Sequence, residues 1–215
     1  MKNNRLDWII KEIKTNGTVI DVGSDHAQLA IKLLTRRKAK HVYNIEANKN
    51  PYQVTIKNLR NKGLIDKTTN ILGDGLKTSI INEKVDYCVI AGMGAKNIIN
   101  ILKEKNKRIK IDNFILVPNN HVNVLRAYLK KIKYRAKFER IIEDKDYYYS
   151  LIVSSLTEGL PIKTKKDIYF GPYNLIHPSK TLKCMNQKRL NYIEKHKIHL
   201  HNQQINQELK MLKES

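Results

Sequence analysis

From Val19 to Val153 the chain alternates short apolar, β-branched runs with stretches whose apolar residues recur at helical spacing. The runs TVIDV, HVYNIE, TNILG, DYCVIAG, NFILVP, RIIE and YYYSLIVSS predict strands. Between the first two, Ala27, Ala30, Ile31 and Leu34 fall at i, i+3, i+4 and i+7, which predicts one buried helix face. Near-continuous apolar strands separated by amphipathic helices describe a parallel sheet covered on both faces.

The last two strands differ. Only the charged turn from Glu143 to Asp146 separates them, too short for a crossover, so they pair as an antiparallel hairpin. Parallel strands closed by such a hairpin are the pattern of the class I S-adenosylmethionine-dependent methyltransferases, whereas dinucleotide dehydrogenases usually continue with a parallel sixth strand. The predicted class is therefore α/β and Rossmann-like, a seven-stranded, mostly parallel sheet occupying residues 1–157. Residues 158–215 read as a Lys-, Pro- and Gly-rich linker with one ordered turn, followed by a helical, coiled-coil-like extension. In that extension Leu182, Met185, Leu190, Ile193, Ile198, Ile205, Leu209 and Leu212 recur at mostly helical steps, as one long helix or two with a bend.

Charge changes the picture. The 215 residues hold 41 Lys and Arg against 20 Asp and Glu, a formal net charge of +21, which favours a polyanionic partner, nucleic acid first. Compositional bias toward Lys, Asn and Ile accounts for part of the excess but not for the scarcity of acids. Lys180, Lys183, Lys188, Arg189, Lys195 and Lys197 lie along the extension, placed to meet RNA or simply solvent. Cys88 and Cys184 stand far apart, which predicts neither a disulfide nor a metal site. No long apolar run and no apolar leader are visible, so a cytoplasmic protein with no membrane partner is expected, and a monomer.

Ligands of open α/β sheets bind outside the carboxyl ends of the strands, at the switch in strand order. Four strand ends here carry suitable residues. IDVGSDHA has one glycine where a dinucleotide loop has three; Gly23 lets a ligand approach the backbone, and the helix N-terminus beyond favours the carboxylate of an amino acid. Asp21 and Asp25 beside it repel a pyrophosphate and suit a ligand carrying an ammonium and a sulfonium. Ser24 or Asp25 is expected to cap the helix, and His26 is a further candidate for cofactor contact. Glu46, with Ala47 after it, lies about 20 positions on, where an acid accepts the ribose hydroxyls. Asp74, between Gly73 and Gly75, is placed to accept from an adenine amino group. Ala91, Gly92, Met93 and Gly94 end the fourth strand opposite the reactive methyl.

Taken together, RLDWI, DVGSDHA, GDGL, AGMGA, VPN and FGPY before a helical tail resemble the bacterial tRNA (adenine(22)-N1)-methyltransferases over nearly the whole chain. The resemblance implies a methyltransferase domain, a C-terminal helical domain that helps hold tRNA, S-adenosyl-L-methionine as cofactor, and methylation of N1 of adenine 22. The chain departs from the pattern at Val117, where the family typically has Gln, at Ala95, where it has Gly, and in a short tail.

A ring nitrogen with an in-plane lone pair attacks a sulfonium methyl without a strong general base, so positioning carries the chemistry. Asn119, after Pro118, is the candidate for reading the adenine edge; Asp25 and His26 are candidates for orienting the base or taking the departing proton. Tyr147, Tyr148 and Tyr149 offer stacking or sheet packing. Two other readings compete: a methyltransferase for another RNA base, and a non-catalytic RNA-binding protein on this scaffold. An exocyclic-amine methyltransferase is disfavoured because AGMG stands where an Asn/Asp-Pro-Pro-aromatic motif belongs.

Overall fold

The computed structural model describes residues 4–144, 147–196 and 203–214. Strands β1 (Thr18–Val22), β2 (His41–Glu46), β3 (Thr68–Leu72), β4 (Lys84–Met93), β5 (Lys110–Pro118), β6 (Arg135–Asp144), β7 (Tyr147–Ser155) and β8 (Leu160–Pro161) form one sheet in the order β3-β2-β1-β4-β5-β7-β6-β8. Neighbours from β3 through β5 pair parallel, while β7 pairs antiparallel with both β5 and β6. The order reverses between β1 and β4, which puts the topological switch at the carboxyl end of β1.

Alternate strand residues feed two cores. Val19, Val89, Ile115 and Val117 pack under α1 (Arg5–Glu12), α2 (Gln28–Thr35) and α3 (Lys49–Asn61). Ile20, Val22, Cys88, Ile90, Phe114 and Leu116 pack under α4 (Ala95–Lys103) and α5 (Val122–Lys131) on the opposite face. Burial on both faces explains why TVIDV is buried at every position and reads as a continuous rather than an alternating run.

Three expectations need correction. The sheet has eight strands, not seven, because Leu160–Pro161 adds a two-residue edge beside β6. RIIE is the C-terminal half of a ten-residue strand whose polar positions mask the apolar pattern. The stretch read as a linker with one turn is folded into α6 (Lys165–Phe170) and α7 (Pro172–Ile176). A capping box between Thr164 and Asp167 starts α6, and Pro172 opens α7.

What fixes this stretch is a long-range contact. Arg126 of α5 and Glu139 of β6, each about 1% exposed at the side chain, pair at 2.8 Å. Arg126 also donates to the carbonyl of Tyr169 at 2.8 Å, and Glu139 accepts from the Tyr173 amide at 3.2 Å. Beyond it, α8 (Lys180–His196) and α9 (Gln203–Lys213) close a small core of Phe170, Ile193, Met211 and Leu212. Residues 197–202, among them Lys197 and Ile198, lie outside the described residues. Arg189 donates to both oxygens of Glu208 at 2.7 and 2.9 Å, so it serves this contact, while Lys180, Lys183, Lys188 and Lys195 are exposed.

Candidate active site

Two cavities, of about 430 and 360 Å³, open side by side at the carboxyl ends of β1, β2 and β4, with Gly23 and Met93 lining both. The first is walled by α1, the Gly23 loop and the end of β4; the second by the ends of β2 and β3 and by α4. Together they make an elongated cleft at the switch point, of the size that holds a nucleoside with an extended arm.

Gly23 sits at φ +74, a left-handed conformation that favours glycine, and a Cβ there would come within 2.6 Å of Met93 Cε, which would have to move aside. After it the chain takes three left-handed residues, Asp25, His26 and Ala27, and α2 proper begins only at Gln28. Neither Ser24 nor Asp25 caps the helix, contrary to expectation. The Ser24 hydroxyl is instead turned inward and donates to Glu46 Oε1 at 3.0 Å, within reach of Thr55 as well. That bond orients a carboxylate which lines the second cavity.

Asp21 is buried and lines the first cavity. Burial, then the like charges of Glu46 and Asp25, push its carboxyl up to about 7. A glycine loop flanked by Asp21 and Asp25, with Glu46 at the end of the neighbouring strand, is hostile to phosphate and favourable to a cation, which is the charge pattern of a sulfonium with an ammonium arm. The residues present therefore fit the cofactor that the strand ends predicted.

The rest of the second cavity comprises Ala47, Gly73, Asp74 and Gly75, as the sequence placed them, together with Asn48, Asn97, Asn100 and Glu104, which it missed. Asp74 is exposed and holds Lys77 at 2.6 Å, so one of its oxygens is engaged. At the end of β4, Ala91, Gly92 and Met93 line the first cavity. Gly94 lines neither; it is the N-terminal cap of α4 and faces Asn120.

Asn119 leaves β5 beside the same cleft. Its backbone N–H donates to the Met93 carbonyl at 2.8 Å, its Nδ2 to the Gly92 carbonyl at 2.8 Å, and its Oδ1 accepts from Arg5 Nη1 at 3.2 Å. The Arg5 guanidinium lies over the Tyr149 ring, 4.9 Å from its centre. Of the other tyrosines, Tyr148 turns to Cys184 and Lys188 of α8, and Tyr147 is exposed.

His26 lines neither cavity; its carbonyl accepts from Asn58 at 3.0 Å, tying the left-handed turn to α3. Asp25 does line the first cavity. Arg5 and Asp144 also line it, and the residue-by-residue reading found neither, although RLDWI was noted as a motif. No group of three or more His, Cys, Asp or Glu among the described residues is disposed to hold a metal, and no described helix is long and apolar enough to cross a membrane.

Comparison with known proteins agrees with this geometry. A Bacillus subtilis tRNA (adenine(22)-N(1))-methyltransferase is 30% identical over 153 residues, covering 71% of this chain and 64% of that protein, just under two thirds of its length. The structure of Streptococcus pneumoniae Sp1610 in complex with S-adenosyl-L-methionine superposes with a TM-score of 0.84 at 29% identity, covering 100% of this chain and 99% of that one. That of M. capricolum TrmK in complex with S-adenosyl-homocysteine superposes with a TM-score of 0.87 at 26% identity, covering 99% of this chain and 96% of that one. A family model matches residues 19–215, from the first strand through the helical extension, and with the acidic single-glycine cleft it leaves one assignment: the chain belongs to the TrmK family, the tRNA (adenine(22)-N(1))-methyltransferases.

Proposed function

We propose that this chain transfers the methyl group of S-adenosyl-L-methionine to N1 of adenine 22 in tRNA. The observation that carries the reading is the cleft at the switch point, where the carboxylates of Asp21, Asp25 and Glu46 surround a glycine loop that only a cationic, phosphate-free nucleoside suits. When bound, the cofactor supplies a methyl group activated by its sulfonium.

The protein's own part is binding and aim. Glu46, held by Ser24, accepts from the ribose hydroxyls; Asp21 and Asp25 favour the positive charge of the amino-acid arm; Gly23 and Gly92 clear space at the reacting centre. Asn119 presents the acceptor base. Gly92 takes one of its two amide hydrogens and Arg5 one of its two oxygen lone pairs, which leaves one donor and one acceptor of this exposed amide for a base. An amide so disposed matches the N6 amino group and N7 of adenine, leaving N1 free to attack. Guanine offers two acceptors on that edge and does not match. N1 lies on the Watson–Crick edge, so the base must leave its pairing before it reacts.

Excess positive charge, +21 over the chain, supplies the electrostatic attraction to tRNA, with exposed lysines of α8 among the contributors. The two-helix extension is bound to the catalytic domain through α6 and α7, a sturdy mount for a tRNA-contacting arm.

The test is methyl transfer from labelled cofactor to an unmodified tRNA with adenine at position 22, beside the same tRNA with guanine there, the product being located by nuclease digestion and mass spectrometry. Incorporation as 1-methyladenosine into the adenine form alone supports the reading. Equal labelling of both keeps a methyltransferase and discards the position; tRNA binding without cofactor binding returns the protein to a non-catalytic RNA binder.

A further inference from the structure

We propose that a third cavity, where the loop after β5 meets α5, β7, α6 and α8, receives the base of a nucleotide next to the target in the tRNA strand, so that Asn119 stands between two bases splayed apart. The proposal rests on the function proposed above.

This cavity, of about 210 Å³, shares no lining residue with either part of the cofactor cleft, yet Asn119 lines it. Asn119 is also fastened to the rim of the cleft, through the carbonyls of Gly92 and Met93. The target adenine must bring N1 to the cleft, so the base beside it in the strand arrives at the other side of the same residue. Unstacked bases set against aromatic side chains are the usual way in which a single strand of RNA is read. The volume is below the roughly 300–1,000 Å³ of sites that enclose a drug-sized ligand, so it admits one base and leaves sugar and phosphate outside.

A buried donor without a partner says what kind of atom the occupant brings. Arg126 lines the cavity, and its side chain is about 1% exposed. Its Nε donates to Glu139 and its Nη1 to the carbonyls of Ile168 and Tyr169, whereas Nη2 is buried and has no partner among the described residues. Leaving such a donor unmet is costly, and a ligand that meets it removes the cost. Because Glu139 already matches the guanidinium charge, the complementary atom is a neutral acceptor, the carbonyl oxygen or ring nitrogen of a base, and not a phosphate.

The walls agree with a base. Tyr148, Tyr169, Phe170 and Met185 supply aromatic and polarizable surface. Tyr148 is held by α8, its hydroxyl 3.3 Å from Cys184 Sγ and its ring centre 4.8 Å from Lys188 Nζ. Tyr169 and Phe170 belong to α6 and Met185 to α8, so a base seated here touches the catalytic domain and the helical extension at once.

The experiment measures the affinity of the full chain for an unmodified tRNA with adenine at position 22 and for the same tRNA made abasic at position 21 or at position 23. Wild-type protein is expected to bind at least one of the abasic forms about 10-fold or more weakly than the intact tRNA. Met185→Trp, which fills the cavity from α8, is expected to bind the intact tRNA as weakly as the wild type binds that abasic form, and to distinguish the two by no more than about 2-fold. Val122→Phe fills the cavity from α5 and is expected to behave alike, so a folding defect in one variant does not decide the outcome. Titration with S-adenosylhomocysteine identifies the variants whose cleft is intact. Equal affinity of the wild type for all three tRNAs would overturn the proposal. So would wild-type affinity for the intact tRNA, or undiminished discrimination, in a filled variant with an intact cleft, as expected if water alone occupies the cavity. Wild-type protein that does not methylate the intact tRNA overturns the proposed function as well, an outcome recognisable before any variant is made.

Discussion

The Ser24 hydroxyl donates to Glu46 Oε1 at 3.0 Å and thereby ties the glycine loop after β1 to the acidic end of β2. Glu46→Gln, which keeps the shape but loses the charge, is expected to weaken S-adenosylhomocysteine binding by about 10-fold or more. Ser24→Ala, which only frees the carboxylate to wander, is expected to weaken it by about 3- to 10-fold. Calorimetric titration of both variants checks the order; a larger effect from Ser24→Ala would mean that the serine itself contacts the ligand.

Asp21 gives the fold a pH dependence of definite sign. Its carboxyl is raised in the folded chain from 3.8 to about 7, so between those values the native protein holds a proton that the unfolded chain has released. Its contribution to stability is therefore full at acid pH and is lost as pH rises through about 7. Asp21→Asn should flatten that decline and melt higher than wild type at about pH 8, as read by thermal denaturation across pH. A cationic ligand favours the ionised form, so S-adenosylmethionine binding by the wild type should release a proton and tighten from about pH 6 to about pH 8, and Asp21→Asn should lose that dependence.

Gly23→Ala meets two obstacles, a left-handed φ of +74 and Met93 Cε at 2.6 Å from the new methyl. The backbone part costs about 1–2 kcal/mol of stability. The contact with Met93 further narrows the cleft, so cofactor affinity should fall more than stability does. Adding Met93→Ala should recover the spatial part and leave the backbone part, which thermal melts and titrations of the single and double variants distinguish.

Arg126→Met strands the buried Glu139 carboxylate and releases the Tyr169 carbonyl, an expected loss of about 3–5 kcal/mol. Gly171→Ala attacks the same junction, since its φ is +90 and a Cβ there would collide with the Glu139 carboxylate. Both variants should loosen α6 and α7 from β6, seen as faster proteolysis near Phe170. tRNA affinity should drop further than affinity for S-adenosylhomocysteine, because neither Arg126, Glu139 nor Gly171 lines either cavity of the cleft.

Much of the fold was legible because its signals are local. TVIDV, HVYNIE and YYYSLIVSS match β1, β2 and β7 residue for residue, since apolar, β-branched runs ending in turn residues fix a buried strand without reference to the rest of the chain. The brevity of the turn before β7 dictated an antiparallel closure, and with it the methyltransferase-like sheet. The strand ends then named most of the cleft, since loops after parallel strands converge at the switch point whatever the loops themselves contain.

What needed the tertiary structure was every feature made by residues distant in sequence. Lys- and Pro-rich composition hid α6 and α7, whose order comes from Arg126 and Glu139 far upstream. Ser24 looked like a cap, because its dipeptide context is that of a helix start, yet Glu46 outcompetes the helix for its hydroxyl. His26 looked like a site residue from its neighbours, but the left-handed turn places it outside both cavities. Arg5 and Asn119, 114 positions apart, share a hydrogen bond that no spacing rule anticipates. Periodicity and turn chemistry act over a few residues and so determined the elements and their order; charge pairing and hydrogen-bond partners depend on which elements the closed sheet brings together, and only the folded chain decided those.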